Sequence, residues 1–329
     1  MKVGKIKKII SFVKSLLLLM LGMKISNEMF KHIISRVNQI KRNNFIYEFL
    51  LKRYDKKVTL LKYDSAEFVG SGGGQAINLY RKVKVKDEFL FEKIYFNDTK
   101  EFKNTIYFYD KIFEQLSDVG VKTPALKYKI SGNSLSVLYF KFIEDKNNNE
   151  SVGKDFFLDF DNKMKKLPVI EKEELEDFQI FTSAKMYKKN KQQIISYYGL
   201  ESKNEITQKF NNIEKYFLNK VLWYQHSDLH KGNVVNKEYV IDFDTAAYYP
   251  YNYDLGTIYA WSFLAIMKKD IDNWELFEST VRKFNQGKRD IGFEFSLLIH
   301  FARFYSSLNT KILFDRFYDD YESQIVSLK

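Results

Sequence analysis

Alternating hydrophobic and polar residues in the first half of the chain predict half-buried β-strands. The pattern is clearest in AINLYRKVKVK, residues 76–86, and EFLFEKIYF, residues 88–96. A further strand is predicted over residues 58–70, and two more within residues 120–145, where Pro124 marks a turn. Residues 100–116 have helical periodicity instead, so this half predicts a small β-sheet with one helix.

Helical periodicity dominates the second half of the chain, with apolar residues three and four positions apart. It predicts helices over residues 171–197, 203–222, 254–268, 272–286, 291–308 and 313–328. Residues 145–167 begin with a polar, asparagine-rich stretch and are predicted to form a loop or an insertion. We expect Asp159 and Asp161 there to be surface acids, because no further metal ligands surround them.

The first 42 residues hold most of the net charge of +11, with ten Lys or Arg against one acid, Glu28. Apolar residues at positions 6, 9, 10, 13, 16, 17, 20 and 21 follow one face of a helix. The longest uncharged run, Ser15–Met23, has nine residues, whereas roughly 20 are needed to cross a bilayer.

Three interpretations of this basic segment stay open. It is a signal peptide with a poor cleavage site, a basic amphipathic helix on an anionic membrane surface, or a helix packed on the body of the protein. The rest of the chain is nearly neutral and shows no basic-aromatic binding module, so no nucleic-acid partner is expected.

Composition excludes several kinds of chemistry. The 329 residues contain no cysteine and only four histidines. Disulfides, thiolate metal sites and cysteine nucleophiles are therefore excluded, and a site with several histidine ligands is not expected. The apolar fraction of 45% predicts a globular protein, and 329 residues are long enough to hold two lobes with sizeable cores.

The candidate chemistry lies in WYQHSDLHKGNVVNKEYVIDFDTAAYYPY, residues 223–251. His226 and Asp228 form an H-x-D motif, and Asn233 follows five residues after the aspartate. A tight loop of this spacing brings a carboxylate and an amide into one place. In the phosphoryl transfer that this spacing indicates, the carboxylate orients the hydroxyl that attacks the phosphorus. The amide oxygen is a ligand for the Mg²⁺ that binds the phosphates.

The following segment, YVIDFD, brings two more carboxylates, Asp242 and Asp244. Asp242 is the expected second Mg²⁺ ligand, and Asp244 is a candidate for an additional one. We therefore predict Asp228, Asn233 and Asp242 as catalytic residues. Asn233, Asp242 and Asp244 are the predicted metal ligands.

These motifs, with the YDLG element at residues 253–256, resemble the aminoglycoside phosphotransferase and choline kinase branch of the protein-kinase-like superfamily. The IDFD segment is also similar to that of bacterial lipopolysaccharide sugar kinases. The resemblance covers roughly residues 60–310. It implies an α+β, bilobal protein-kinase-like fold and a kinase that uses ATP and Mg²⁺. The expected domains are a basic amphipathic N-terminal extension over residues 1–45, an antiparallel-sheet N-lobe over 46–145 and a mainly helical C-lobe over 146–329.

The same resemblance assigns nucleotide-binding residues to the first half. The glycine cluster after the first strand, Gly70, Gly72, Gly73 and Gly74, is expected to cover the phosphates, since glycine permits close backbone approach. Lys93 is the predicted phosphate lysine, with Lys82, Lys84 and Lys86 as alternatives. Glu101 is its predicted partner, with Glu92 and Glu114 as alternatives. Residues 139–143 are the expected hinge for the adenine.

Only eleven residues separate Asp242 from Asp254, and no A-P-E motif follows. This length excludes a peptide-docking segment of the protein-kinase type. We therefore expect the acceptor to be a hydroxyl of a sugar or lipid-linked glycan of the cell envelope, at the cytoplasmic face of the inner membrane. Two alternatives stay open, a kinase for choline or an aminoglycoside and an inactive pseudokinase that serves as a binding scaffold. The first would use acidic and aromatic residues of the C-terminal helices: Trp261, Trp274, Glu275 and Glu278.

Overall fold

The structure is a computed structural model and describes residues 13–39, 44–71, 79–144, 152–264, 279, 281 and 290–326. Its contacts divide the chain into two compact units. The first comprises Met1–Lys103 and Pro124–Glu144, and the second comprises Asn104–Thr123 and Asp145–Lys329. Residues 72–74 lie outside the described residues, as does the predicted helix 272–286 except for residues 279 and 281.

The first unit contains a five-stranded antiparallel sheet with the strand order β1-β2-β3-β5-β4. Its strands are β1 (Ser65–Ser71), β2 (Leu79–Val85), β3 (Glu88–Phe96), β4 (Leu126–Ser131) and β5 (Leu135–Lys141). The first strand begins at Ser65, where it pairs with Lys84, and not at residue 58 as predicted. The reason is that β2 turns back into β3 after Val85 and offers no further residues to pair with.

Three helices of the first unit contribute to its apolar core. They are α1 (residues 13–20), α2 (Asn27–Gln39) and α3 (Asn44–Tyr54). Leu19 of α1, Phe30 of α2 and Leu51 of α3 join Val83 and Leu90 of the sheet in one buried cluster. The N-terminal segment, as far as it is described, therefore packs on the first unit.

The end of α1 is defined by a glycine. Gly22 has φ +79°, a conformation that favours glycine. The N–H groups of Gly22 and Met23 donate back to the carbonyls of Leu19 and Leu18 at 3.0 Å each. Arg53 of α3 adds a bond from Nε to the carbonyl of Leu19 at 3.1 Å. Within the described residues, no helix is both long and apolar enough to cross a membrane.

A buried ion pair lies on the helix-covered face of the sheet. Arg81 donates from Nε and Nη2 to the two carboxylate oxygens of Glu92 at 2.7 and 2.9 Å. The hydroxyl of Tyr47 donates to the same carboxylate at 2.9 Å, and its ring centroid lies 4.0 Å from the guanidinium. Glu92, one alternative to Glu101 as the partner of Lys93, is thus paired with Arg81 on this face. Lys93 lies on the opposite face because side chains alternate along a strand.

The second unit is mainly helical. A helical stretch formed by α4 (Lys100–Tyr107), a π-helical segment (Phe108–Ile112) and α5 (Phe113–Asp118) agrees with the predicted helix 100–116. The later helices are α6 (Lys154–Met164), α7 (Lys185–Tyr197), α8 (Lys203–Leu218), α9 (Tyr253–Ile258), α10 (Ile291–Phe301) and α11 (Ser307–Val326). A sheet-based unit followed by a mainly helical one confirms the predicted two-part α+β fold.

Two short antiparallel pairs frame the loop that contains Asp228. Strand β6 (Trp223–Gln225) pairs with β9 (Ala247–Tyr249), and β7 (Val234–Val235) pairs with β8 (Tyr239–Val240). The turn between β7 and β8 has Asn236 and Lys237 at φ 54° and 57°. Two consecutive positive φ values match the type I′ turn that suits a twisted hairpin.

The prediction of a loop over residues 145–167 is wrong for residues 154–164, which form α6. Phe157, Phe160, Asp161 and Met164 are buried on one face of this helix, at a spacing that flanking charges obscure in the sequence. Asp161 is therefore not a surface acid. Its carboxylate bonds Nζ of Lys165 at 2.5 Å, and burial raises its pKa.

Two other predicted helices have different bounds. The first turns of the predicted helix 171–197 are three short 3₁₀ turns, and α7 begins only at Lys185. In this stretch the N–H of Glu176 donates to the Gln179 side chain at 2.7 Å, a local bond that favours a tight turn. The predicted helix 291–308 ends at Phe301, and α11 begins at Ser307 instead of residue 313.

Replacing Glu92 with Gln should destabilise the protein, because the buried guanidinium of Arg81 loses its counter-charge. We expect the free energy of unfolding, measured with urea, to fall by about 3 kcal/mol or more. The double variant Arg81→Met with Glu92→Leu should be more stable than Glu92→Gln, because it removes both buried charges.

Glu88→Gln is the matched control on the same strand. Glu88 pairs with Lys127 at 3.3 Å, and both side chains are about 40% exposed. We expect a loss below about 1 kcal/mol for this variant. Equal losses for Glu88→Gln and Glu92→Gln would contradict a structural role for the buried pair.

Candidate active site

The loop that follows β6 is held by one buried carboxylate. Asp254, at the start of α9, is fully buried and accepts the backbone N–H groups of His226 at 2.7 Å and Ser227 at 2.6 Å. The N–H of Asp254 donates in turn to the side chain of Gln225 at 2.6 Å. Asp254 thus anchors the start of the loop through two charge-assisted hydrogen bonds.

His226 braces the same loop with both ring nitrogens. Its Nε2 lies 2.9 Å from the carbonyl of Ile241, and its Nδ1 accepts the backbone N–H of Asp228 at 3.3 Å. This pattern fits a neutral ring with its proton on Nε2. Burial lowers the pKa of His226 to about 4, so the ring stays neutral at physiological pH. Its role is to position the loop, and it is not suited to carry a proton.

Asn233 ties the start of the loop to its end. It closes a short 3₁₀ turn, Lys231–Asn233, and its Nδ2 donates to the carbonyl of Asp228 at 2.9 Å. The backbone N–H of Ile241 donates to the carbonyl of Asn233 at 3.0 Å. Because its amide nitrogen is engaged in the loop, the side chain keeps Oδ1 as its acceptor, the end that suits a hard cation.

Asp242 has a left-handed backbone conformation, with φ 68° and ψ 57°. Such a conformation is uncommon outside glycine, and aspartate tolerates it better than most residues. Phe243 anchors the adjoining position, with its ring stacked on Phe108 at 3.9 Å and 4.7 Å from the ring of His226. The strained residue is thus fixed beside the loop that contains Asp228.

The electrostatics of Asp228 combine burial with two neighbouring charges. Burial raises the pKa of its carboxyl group to about 7, the positive charge of Arg303 lowers it, and the negative charge of Asp242 raises it. The two predicted catalytic carboxylates therefore interact. Arg303 lies just beyond α10 and was not predicted, since no motif in the sequence links it to the loop.

Asp244 is held by the helix α4. Its Oδ1 accepts the hydroxyl of Thr105 at 2.9 Å, and its carbonyl accepts Nδ2 of Asn104 at 3.1 Å. One carboxylate oxygen is therefore engaged with the protein, and the assignment of Asp244 as a metal ligand stays a prediction. Within the described residues, no group of three or more His, Asp or Glu has the arrangement of a metal site. The predicted Mg²⁺ ligands combine the amide of Asn233 with the carboxylates of Asp242 and Asp244.

The predicted phosphate lysine is the most shielded of the four candidates. Lys93 lies in the middle of β3, opposite Tyr80 and Leu138, and is 4% exposed. Lys82 lies between two rings, with Nζ 4.4 Å from the centroid of Phe89 and 4.6 Å from that of Phe142. Burial of a lysine in a strand favours a specific role over solvation.

The remaining nucleotide-binding predictions stay predictions. Gly70 lies at the end of β1, opposite Tyr80, whereas Gly72, Gly73 and Gly74 fall outside the described residues. Glu101 lies in the first turn of α4. Its pairing with Lys93 is a proposal.

A cavity of about 320 Å³ lies in the first unit, next to the predicted hinge. Its lining residues are Lys82, Asp87, Glu88, Phe89, Lys141, Phe142 and Glu144. Phe89 and Lys93 point to the same face of β3, because they are four residues apart on one strand. The cavity and the candidate phosphate lysine thus share one side of the sheet.

No family model matches the chain, and no curated protein matches it. Among solved structures, it is similar to the microcompartment-associated aminopropanol kinase, with 13% identity, a TM-score of 0.44 and coverage of 86% of this chain and 98% of that one. It is also similar to the aminoglycoside phosphotransferase APH(4)-Ia, with 10% identity, a TM-score of 0.48 and coverage of 83% and 97%. A third structure is APH(3'')-Id from Streptomyces rimosus ATCC10970 in complex with ADP and streptomycin, with 13% identity, a TM-score of 0.44 and coverage of 72% and 95%.

These similar structures include aminoglycoside phosphotransferases, the branch that the loop motif resembles. The similarity to lipopolysaccharide sugar kinases stays a prediction. At TM-scores below 0.5, the likeness assigns no substrate to this chain. The function proposed below therefore rests on the residues of the site itself.

The raised pKa of Asp228 can be measured directly. We expect a ¹³C NMR titration of the aspartate carboxyl groups to show two groups titrating near 7, Asp228 and Asp254. Asp228→Asn should remove one of the two signals and thereby assign it. Arg303→Met should move the titration of Asp228 to higher pH, because it removes the positive charge that favours the ionised carboxylate.

Arg316→Met is the control, since Arg316 is an exposed arginine of α11. It should leave the titration of Asp228 unchanged. Titration of Asp228 near the usual value of about 4 would show that the group is not desolvated.

Proposed function

We propose that the protein is an ATP- and Mg²⁺-dependent kinase that phosphorylates a hydroxyl group of a small molecule or glycan. One observation carries this proposal. Asp228, Asn233 and Asp242 belong to one braced loop-and-hairpin segment, in which Asn233 bonds the Asp228 carbonyl and the charge of Asp242 acts on Asp228. A carboxylate, an amide and a second carboxylate in this order are the groups that phosphoryl transfer requires.

We assign to Asp228 the role of binding the hydroxyl of the acceptor. As a carboxylate it accepts a hydrogen bond from the hydroxyl and orients the oxygen for in-line attack on the γ-phosphorus. The protonated oxygen of a carboxylic acid cannot accept this hydrogen bond from the hydroxyl. Arg303 therefore supports the role of Asp228, because its positive charge favours the ionised carboxylate. His226 and Asp254 keep the loop in place.

Asn233 and Asp242 are assigned to Mg²⁺, with Asp244 as a candidate for a further ligand. The residues fit this ion, because magnesium prefers oxygen ligands and the amide of Asn233 presents Oδ1. The repulsion between Asp228 and Asp242 is a second sign, since a bound cation would relieve it. Bound Mg²⁺ would supply charge neutralisation for the phosphates of ATP.

Lys93 is assigned to the α- and β-phosphates, with Glu101 as its partner and the glycine cluster as the cover over the phosphates. The cavity beside residues 139–143 is assigned to the adenine. Its volume and its aromatic lining suit a flat ring. The position of Lys93 on the same face of β3 supports this assignment.

For the acceptor, we propose a sugar or lipid-linked glycan at the inner face of the membrane. The support comes from α1, which buries one side against the protein and exposes apolar residues on another. Leu19 and Ser15 are buried against the first unit. Five residues in and just after the same helix expose between 46% and 72% of their surface: Val13, Leu17, Met20, Leu21 and Met23.

Charge and a second helix extend this exposed surface. Lys14 and Lys24 are exposed within the same stretch of chain. On α3, Phe45 and Phe49 are 77% and 41% exposed and lie two turns and one turn before Arg53, which contacts the end of α1. Exposed apolar side chains with neighbouring lysines favour binding to an anionic lipid surface.

Phosphoryl transfer is tested with purified protein, ATP and Mg²⁺ against a panel of sugars, lipopolysaccharide-type glycans, choline and aminoglycosides. Asp228→Ala and Asp242→Asn should each lower turnover by at least about 100-fold, because each removes a group assigned to the reaction. Asp159→Asn, a variant of an exposed acid paired with Lys163, should retain activity.

The panel also distinguishes the alternatives. Transfer to choline or an aminoglycoside but to no glycan would replace the proposed acceptor class. Nucleotide binding without turnover would favour the pseudokinase scaffold. Unchanged turnover in Asp228→Ala would overturn the assignment of the site.

Membrane binding is tested by flotation with vesicles that contain phosphatidylglycerol or only phosphatidylcholine. The full-length protein should float with the anionic vesicles, and added salt should weaken the binding because it screens the lysines. Leu17→Glu with Leu21→Glu should abolish flotation. Leu200→Glu is the control, since Leu200 is 88% exposed but belongs to the second unit. Equal flotation of the double variant and the wild type would exclude α1 as the binding element.

A further inference from the structure

Arg303 makes few bonds for a largely buried guanidinium group. Its Nη2 donates to the sulfur of Met186 at 3.2 Å, and sulfur is a weak acceptor. Its Nη1 is shielded from solvent and has no hydrogen-bond partner among the described residues. Leaving a buried charged donor unsatisfied is costly, which makes this group a candidate for binding a ligand.

Trp261 lies against this guanidinium and presents a second unsatisfied donor. The guanidinium carbon of Arg303 is 4.5 Å from the Trp261 ring. The indole Nε1 is also shielded from solvent and lacks a partner within the described part of the chain. His230 of the candidate loop lies on the same ring, with centroids 5.0 Å apart. Arg303 and Trp261 are thus directly connected to the segment that contains Asp228.

This arrangement does not suit a cationic acceptor. An aromatic cage for an ammonium group requires open ring faces, whereas the Trp261 ring already contacts the protein's own cation, Arg303. The ring is also in contact with His230 and, edge to face at 5.3 Å, with Phe304. The positive charge of Arg303 would repel a second cation bound at this place.

Both unsatisfied groups are donors without acceptor capacity. The ligand group that satisfies them must therefore supply acceptor atoms, and the guanidinium favours acceptors that are negatively charged. We infer that the acceptor carries an anionic group, a carboxylate or a phosphate, which Arg303 and Trp261 bind beside the hydroxyl oriented by Asp228. This inference rests on the proposed kinase function and narrows its substrate class.

The site is desolvated, which bears on how such a ligand would bind. The side chains that shield Nη1 and Nε1 must move for an anionic group to reach them. Once there, the group forms charge-assisted hydrogen bonds in a region of low water content, where such bonds are strong. Arg303 would then serve both the anionic group and the ionisation of Asp228.

The test uses acceptors of similar shape and different charge: glucuronate, glucose 1-phosphate, glucose and glucosamine. Phosphoryl transfer is measured for the full-length wild type, Arg303→Met and Arg303→Lys. The pH is about 7, where the amine of glucosamine is still mostly protonated. The ionised fraction of Asp228 is the same for all four sugars within one variant, so it cancels from the ratio between them. Equilibrium binding of the same four sugars is measured by calorimetry.

We expect the wild type to prefer an anionic sugar over glucosamine in both assays, and Arg303→Met to lower that preference by about tenfold or more. Arg303→Lys should keep part of it, because the charge remains while the planar geometry is lost. Arg316→Met should behave as the wild type. Preference for glucuronate over glucose 1-phosphate would identify a carboxylate, and the reverse a phosphate.

Two kinds of failure are distinguishable. If turnover depends on Asp228 but the ratio between anionic and cationic sugars is the same in the wild type and Arg303→Met, the inference is wrong and the kinase function stands. The unsatisfied donors would then be bonded by water. If no turnover depends on Asp228, the proposed function fails, and calorimetry alone decides whether Arg303 binds anions.

Discussion

The candidate active site depends on one buried carboxylate. Asp254 accepts the N–H groups of two consecutive residues, His226 and Ser227, and thereby holds the start of the loop that contains Asp228 on the first turn of α9. Ser227 needs this support, because its φ of 64° is uncommon for a residue with a side chain. Without the carboxylate, two buried donors would be left unsatisfied and the loop would lose its anchor. The pKa of Asp254 is raised to about 7 by burial, although both hydrogen bonds favour its charged form.

A second constraint is the balance of charge around Asp228. Burial and Asp242 disfavour its ionisation, and Arg303 favours it. A carboxyl group with a pKa near 7 is poised between its two forms at physiological pH. The same arginine has an unsatisfied nitrogen and contacts Trp261. One side chain thus links the protonation of the proposed catalytic carboxylate to the anionic acceptor that we propose.

Local patterns were sufficient for much of the fold. The alternation in residues 88–96 predicted β3, and the H-x-D spacing located a loop between two strand pairs. Local patterns gave wrong predictions where the structure of a segment depends on residues that are distant in the sequence. The strand β1 is short because β2 turns back after Val85, which the run of residues 58–70 does not reveal. Helix α6 was missed because its buried face includes Asp161, a residue that a hydrophobic pattern excludes.

By itself, the sequence determined the order of the five sheet strands, the location of the loop and the candidate residues Asp228, Asn233, Asp242 and Asp254, because each depends on spacing within a short segment. Only the tertiary structure decided which distant residues complete the site. Arg303 lies 75 positions after Asp228 in the chain, and no local pattern connects them. Likewise, the contact of Thr105 with Asp244 and the pairing of Arg81 with Glu92 arise from packing, which sets distances that sequence spacing does not encode.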